Sequence, residues 1–70
     1  MSFSYNKLWK LLIDKKMNKV DLRDAIGIAP TTLSKLSKNQ NVSMDVIGKI
    51  CKELNCDVGD IVEFINEDNN

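Results

Sequence analysis

Histidine is absent from this chain, proline occurs once, glycine three times and cysteine twice, and the aromatic residues are one Trp, one Tyr and two Phe. These shortages remove whole classes of chemistry. With no imidazole and only two thiols, Cys51 and Cys56, one chain cannot assemble a four-ligand zinc site from Cys and His, and the spacing of the pair is not that of a C-x-x-C redox motif. A general base would have to be a carboxylate, yet the clustered Asp21 and Asp24 fall on an exposed helix face, where carboxylates stay solvated. Cys51 lies on an apolar stripe, where a thiol is inert, so both cysteines are expected as buried free thiols, with a structural disulfide as the alternative. No phosphate loop or metal-ligand spacing appears. An enzyme is not expected, nor a metal, a cofactor or a small-molecule ligand.

Also missing are any run near the ~18 apolar residues of a membrane span and any basic N-terminal segment leading into an apolar block. The expectation is a cytoplasmic protein with no membrane partner. Internal repeats, low-complexity tracts and strand-like alternation are absent too. What is present suits a globular domain: 43% apolar and 29% charged residues. At 70 residues the chain reads as a single domain spanning 1–70, close to the size at which one core barely suffices, so dimerisation is plausible from length alone.

The formal net charge is zero, but its distribution is not even. Residues 1–40 hold Lys7, Lys10, Lys15, Lys16, Lys19, Arg23, Lys35 and Lys38 against Asp14, Asp21 and Asp24, a surplus of five positive charges. Residues 41–70 hold Lys49 and Lys52 against Asp45, Glu53, Asp57, Asp60, Glu63, Glu67 and Asp68, an equal negative surplus. Such a molecule can offer a basic end to phosphates while its acidic end limits unspecific binding; two ordinary solvated faces would look the same.

Helical periodicity runs through most of the chain. Tyr5, Leu8, Trp9, Leu12 and Ile13 form one stripe of a helix from about Ser4, its N-cap, to Lys16, with Lys15 and Lys16 in the last turn; Trp9 and Tyr5 are read as core. Asn18 caps a second helix, Lys19 to Ile26, which Gly27 ends in the left-handed region. Ile28 packs inward from the turn, and Pro30 opens a third helix to about Ser37 with Leu33 and Leu36 inward. After the polar loop 38–41, in which Asn39 can end a helix, Ser43 caps a fourth, Met44 to Leu54, with Ile47, Ile50, Cys51 and Leu54 inward. Asn55 is read as its terminator. Asp57 and Asp60 suggest the start of a short fifth helix, Val58 to about Ile65, before a frayed polar tail at 66–70. Val58, Ile61, Val62, Phe64 and Ile65 exceed what one short helix can bury, so some of them, with Val62, Phe64 and Ile65 the best candidates, are expected to meet another chain.

The stretch from Lys19 to Leu36 is thus helix, glycine turn, helix, with apolar residues at Leu22, Ile26, Ile28, Leu33 and Leu36 that let two helices cross steeply on one core patch. This pattern resembles the helix-turn-helix of phage-repressor-like regulators, the Cro/C1 type or XRE family. Segments 8–12 and 50–61 are similar to those of its small stand-alone bacterial members. The resemblance covers roughly Tyr5 to Ile65 and implies an all-α, five-helix phage-repressor-like DNA-binding domain in which helices 2 and 3 form the motif, about 19–36.

It further implies sequence-specific binding of double-stranded DNA and transcriptional regulation, as a repressor, by a homodimer on an inverted repeat. Helix 3 would lie in the major groove with Pro30, Thr31, Ser34 and Lys35 toward base edges. Phosphate contacts map to Lys19, Thr32, Lys38, Asn39 and Asn41. The chemistry of these residues agrees, since Lys35 can donate to guanine, Thr31 can touch a thymine methyl, and helix N-termini, Lys and Asn supply donors to phosphate. Two departures from the family pattern stand out. Ala29 replaces a capping Ser before Pro30, and Arg23 occupies a usually small position between the motif helices, so that its stem snorkels out or the crossing is looser. The alternative reading is a protein-interaction module of the same fold, antitoxin-like or regulator-binding, that does not itself read DNA.

Overall fold

The computed structural model describes residues 2–66. In chain order these form β1 (Ser2–Ser4), α1 (Asn6–Asp14), α2 (Lys19–Ile26), α3 (Pro30–Ser37), α4 (Met44–Leu54), a 3-10 turn (Val58–Asp60) and β2 (Glu63–Ile65). Residues 67–70 of the expected frayed tail lie outside the described residues. Helices α2 and α4 begin where their side-chain caps dictate. Asn18 accepts the Asp21 N–H at 2.7 Å while the Asp21 carboxylate accepts the Asn18 N–H at 3.0 Å, a reciprocal capping box. Ser43 Oγ accepts the Val46 N–H at 3.2 Å at the start of α4.

All four helices stop by the same device, a left-handed residue just past the last turn: Lys16 (φ 59°), Gly27 (φ 71°), Asn39 (φ 57°) and Asn55 (φ 52°). The chain then folds back onto the helix end. Met17 N–H bonds Leu12 O at 2.9 Å, Gln40 N–H bonds Lys35 O at 2.8 Å and Cys56 N–H bonds Cys51 O at 3.0 Å, the six-to-one bond that satisfies an orphan carbonyl. The last of these brings the two thiols together. Cys51 and Cys56 are free and half-buried rather than fully buried, and burial, with Cys51 beside it, pushes the Cys56 thiol up.

The expected fifth helix is the main correction. Asp57 and Asp60 do form a capping box, but it starts only the 3-10 turn Val58–Asp60. Beyond it Ile61, Val62, Phe64 and Ile65 are β-branched or aromatic, and Gly59 weakens the helix behind them, so the segment is better suited to a strand. Its partner is the other end of the chain: β1 and β2 pair antiparallel, Ser2 opposite Ile65, Phe3 opposite Phe64 and Ser4 opposite Glu63. The architecture is four helices plus a terminal two-stranded ribbon. β1 also takes Ser4 out of the expected first helix, which starts at Asn6 with no side-chain cap at Tyr5, although Ser4 Oγ still accepts the Asn6 N–H at 3.2 Å. Lys15 and Lys16 lie just past the last turn of α1 rather than within it.

The core draws one fully buried side chain from each helix and one from the C-terminal segment: Leu8, Leu22, Leu36, Ile50 and Ile61. Tyr5, Leu12, Ile47 and Leu54 complete it, with Ile26 and Ile28 packed at its margin. Each such burial contributes about 1.5–3 kcal/mol, and because α2 and α3 are too short to stand alone, Leu22 and Leu36 are what hold them in place. Two members of the predicted α1 stripe depart from it, since Trp9 is half-buried and Ile13 is largely exposed. Among the described residues no helix is long and apolar enough to cross a membrane.

Candidate nucleic-acid interface

Burying Leu36 completely fixes how α3 presents its other faces. At 100° per residue Pro30, Thr31, Ser34 and Lys35 share the opposite side, continued by Lys38 just after the helix, and all five are exposed. Thr32 and Leu33 flank the buried stripe and are half-buried. The four residues matched to base contacts are thus brought together on one surface, whereas Thr32 sits on its shoulder. Pro30 at the first helical position follows Ala29, which supplies no side-chain cap, as expected. The helix start holds instead through the Ala29 carbonyl, which accepts from Thr32 at 3.0 Å and Leu33 at 3.2 Å. Pro30 has no N–H, and the Thr31 N–H comes too early in the helix for an intrahelical partner.

Lys19, first residue of α2, is held against α1 and α3. Its ammonium lies 4.2 Å from the centroid of the Trp9 ring and donates to Ser37 Oγ at 3.2 Å. Neither Trp9 nor Ser37 was singled out for this role from the sequence. The Asp21 carboxylate occupies the start of α2 as a cap, so at that end the Lys19 ammonium, not the helix dipole alone, supplies positive charge. The second acidic residue of the motif, Asp24, pairs with Arg23 at 3.1 Å. Arg23 is half-buried with its guanidinium on this exposed partner, the snorkelling arrangement. Among the described residues no carboxylate pairs with Lys35 or Lys38.

The loop after α3 is pinned from below by Tyr5. Its hydroxyl donates to the Gln40 carbonyl at 2.8 Å, and its backbone N–H donates to Asn39 Oδ1 at 3.0 Å. Burial pushes the Tyr5 phenol above its ordinary value, with the Val42 backbone amide opposing part of the shift. Asn39 thus spends its side-chain oxygen internally although the residue is exposed, and Lys38 and Asn41 are exposed on the same loop.

The residues matched to a second chain lie elsewhere, on and before β2. Phe64 is exposed and packs edge-on against Phe3 across the ribbon, with ring centroids 5.4 Å apart; Val62 and Ile65 are half-buried. Val58, one of the apolar residues from which a contact was expected, is exposed there too; sequence reasoning missed Phe3 and Met44, which are exposed and border the same region, because the ribbon that gathers them joins the two chain ends.

Comparison with known proteins places these features in a group. The family model for the Cro/C1-type HTH DNA-binding domain matches residues 7–67. The HTH-type transcriptional regulator YozG of Bacillus subtilis (strain 168), itself uncharacterised, is 32% identical over 60 residues, covering 83% of this chain and 71% of that protein. The crystal structure of the transcriptional regulator VanUg superposes with a TM-score of 0.92 at 56% identity, over 94% of this chain and 88% of that one.

Proposed function

The chain belongs to the Cro/C1-type helix-turn-helix DNA-binding family, and from that membership we propose a cytoplasmic transcriptional repressor that reads double-stranded DNA through α3 in the major groove, as a homodimer on an inverted repeat. Its relatives are transcriptional regulators, and it is a DNA-binding regulator rather than an enzyme. The observation that carries the finer reading is the exposed face Pro30, Thr31, Ser34, Lys35 and Lys38, free of carboxylates and set off by the buried Leu36. On this reading Pro30, Thr31, Ser34 and Lys35 meet base edges. Lys19, Thr32, Lys38, Asn39 and Asn41 meet phosphates.

The dimer is supported by the apolar surface around the ribbon. Phe64 and Phe3 are 53% and 47% exposed and pack on each other, and Phe3 adjoins Met44, Val58 and Val62 along a groove of about 220 Å³. For a chain this small, leaving that surface in water wastes the burial that a second domain supplies. Val62, Phe64 and Ile65 are proposed to lie in this contact.

Selection of bound sites from random double-stranded DNA tests the reading. A preferred sequence should emerge, and Lys35→Ala should weaken it by ~1–3 kcal/mol while leaving unselected DNA nearly unaffected. With two phosphate-directed lysines per domain, Lys19 and Lys38, the dimer should lose affinity with a log–log salt slope of about −3 to −4. Molar mass in solution should be that of a dimer, and Phe64→Asp should halve it. No preferred sequence, or binding indifferent to salt, would refute the DNA reading and favour the interaction module; a monomer both on and off DNA would refute the dimer.

A further inference from the structure

Among the described residues, the ribbon and its groove account for four of the six large exposed apolar side chains, Phe3, Met44, Val58 and Phe64. Of the other two, Ile13 is the most exposed of all six, at 72%. Helical spacing from the buried Leu8 and Leu12 sets Ile13 on the outward side of α1, and just beyond it Lys16 is left-handed and Met17 folds back onto Leu12. A β-branched residue on a solvated helix face adds nothing to the helix or to the core. Nor does it stand alone. It borders a shallow groove of about 290 Å³ lined also by Trp9, Leu12, Met17, Asn18 and Lys19. Exposed Lys10 lies one turn before Ile13 on α1 and exposed Lys16 just past the helix end, and the Lys19 ammonium sits over Trp9, so the apolar floor has lysines around it; no carboxylate lines the groove, and the exposed Asp14 lies with Lys10 along the neighbouring pocket.

We propose that this α1 face is a docking surface for an acidic amphipathic helix of a different protein, with apolar side chains on Ile13, Trp9 and Met17 and carboxylates toward Lys10, Lys16 and Lys19. Charge chooses the occupant. A second copy meeting the same patch by two-fold symmetry would set the three lysines against their own counterparts, and like charges oppose that contact. Phosphates would suit the lysines but gain nothing by covering an isoleucine. A helix with an apolar stripe and acidic flanks satisfies both parts, in the helix-in-groove manner.

The proposal does not depend on DNA binding and is tested without DNA. Trp9 is the only tryptophan and lies in the groove, so its fluorescence reports occupancy directly. The probe is a synthetic Trp-free helical peptide with Leu at i, i+3, i+4 and i+7 flanked by Glu, titrated into the full chain. A saturable change in the micromolar range is expected, weakened at least about ten-fold by Ile13→Asp, several-fold by the Lys10→Glu/Lys16→Glu pair and by added salt. The same peptide with Lys in place of Glu should not bind. Ile13→Ser serves as a milder variant, with circular dichroism as the folding control. The proposal is overturned by failure to saturate at millimolar peptide, by equal binding of the Lys peptide, or by Ile13→Asp binding like the parent. It is equally overturned if Ile13→Asp abolishes self-association or DNA binding while the acidic peptide leaves Trp9 unchanged.

Discussion

Tyr5→Phe isolates one hydrogen bond that ties the fold to the proposed phosphate-binding loop. The ring is buried and would stay, so packing is retained; what is lost is the 2.8 Å bond from the hydroxyl to the Gln40 carbonyl. A neutral bond of this kind contributes about 0.5–1.5 kcal/mol net, and a stranded buried carbonyl would cost up to about 3. Gln40 is exposed, so water can replace the phenol, and the loss should stay near 1 kcal/mol. In a domain of this size that lowers Tm by about 4–8 °C, readable by circular dichroism during heating. The phenol adds a pH signature. Its folded value is raised above 10.0, so the contribution is full below pH 10. Above that, the unfolded chain releases the proton first and stability falls as pH climbs to the folded value. The stability gap between parent and Tyr5→Phe should therefore shrink as pH rises beyond 10. A Tm unchanged by the substitution, or a gap that widens in alkali, would refute the role given to Tyr5.

Two further outcomes follow from the helix ends. Lys16→Gly should raise stability by about 0.5–1 kcal/mol, because the left-handed conformation strains a lysine more than the added freedom of glycine costs in the unfolded chain; a lower Tm would contradict this. Asn18→Ala should cost ~1 kcal/mol in chemical denaturation by deleting the α2 cap, and a neutral result would mean that Asp21 alone holds that end.

The helices carrying the motif were legible because their boundaries are written in local chemistry. Asn18, Gly27, Pro30, Ser43 and Asn55 each act on a neighbour within one turn, and the bounds of α2, α3 and α4 follow from them. The reading face of α3 was legible for the same reason, since period 3.6 alone sets Ser34 and Lys38 opposite Leu36, with Lys35 about 100° round from it. The ribbon was not, because Phe3 and Phe64 pair across almost the whole chain and three residues are too few to show alternation. Val58 to Ile65 was misread as helix because Asp57 and Asp60 cap a single turn as well as they cap a long helix, and only the β-branched run argued otherwise. Within the site, the Lys19 contacts with Trp9 and Ser37 and the Asn39 bond to Tyr5 are tertiary, and no spacing in the sequence announces them.

The chemistry of the α3 face bears on where specificity resides. A good bidentate base contact discriminates by about 1–3 kcal/mol, while a specific site typically exceeds unspecific DNA by about 4–10. Among the proposed base-contacting residues only Lys35 is long; Thr31 and Ser34 reach a short distance and Pro30 offers no donor. One domain therefore supplies too little to single out a site. Doubling the contacts through a second domain brings the sum into range, and it also makes the distance between half-sites part of what is read. The remainder falls to DNA shape, felt through phosphate donors that are held rather than loose: Lys19 over Trp9, and the 38–41 loop tied down by Tyr5. The side chains that matter most for selectivity on this reading include ones that touch no base, and Tyr5→Phe should blunt the preference for the selected sequence although the hydroxyl lies beneath the DNA-facing surface.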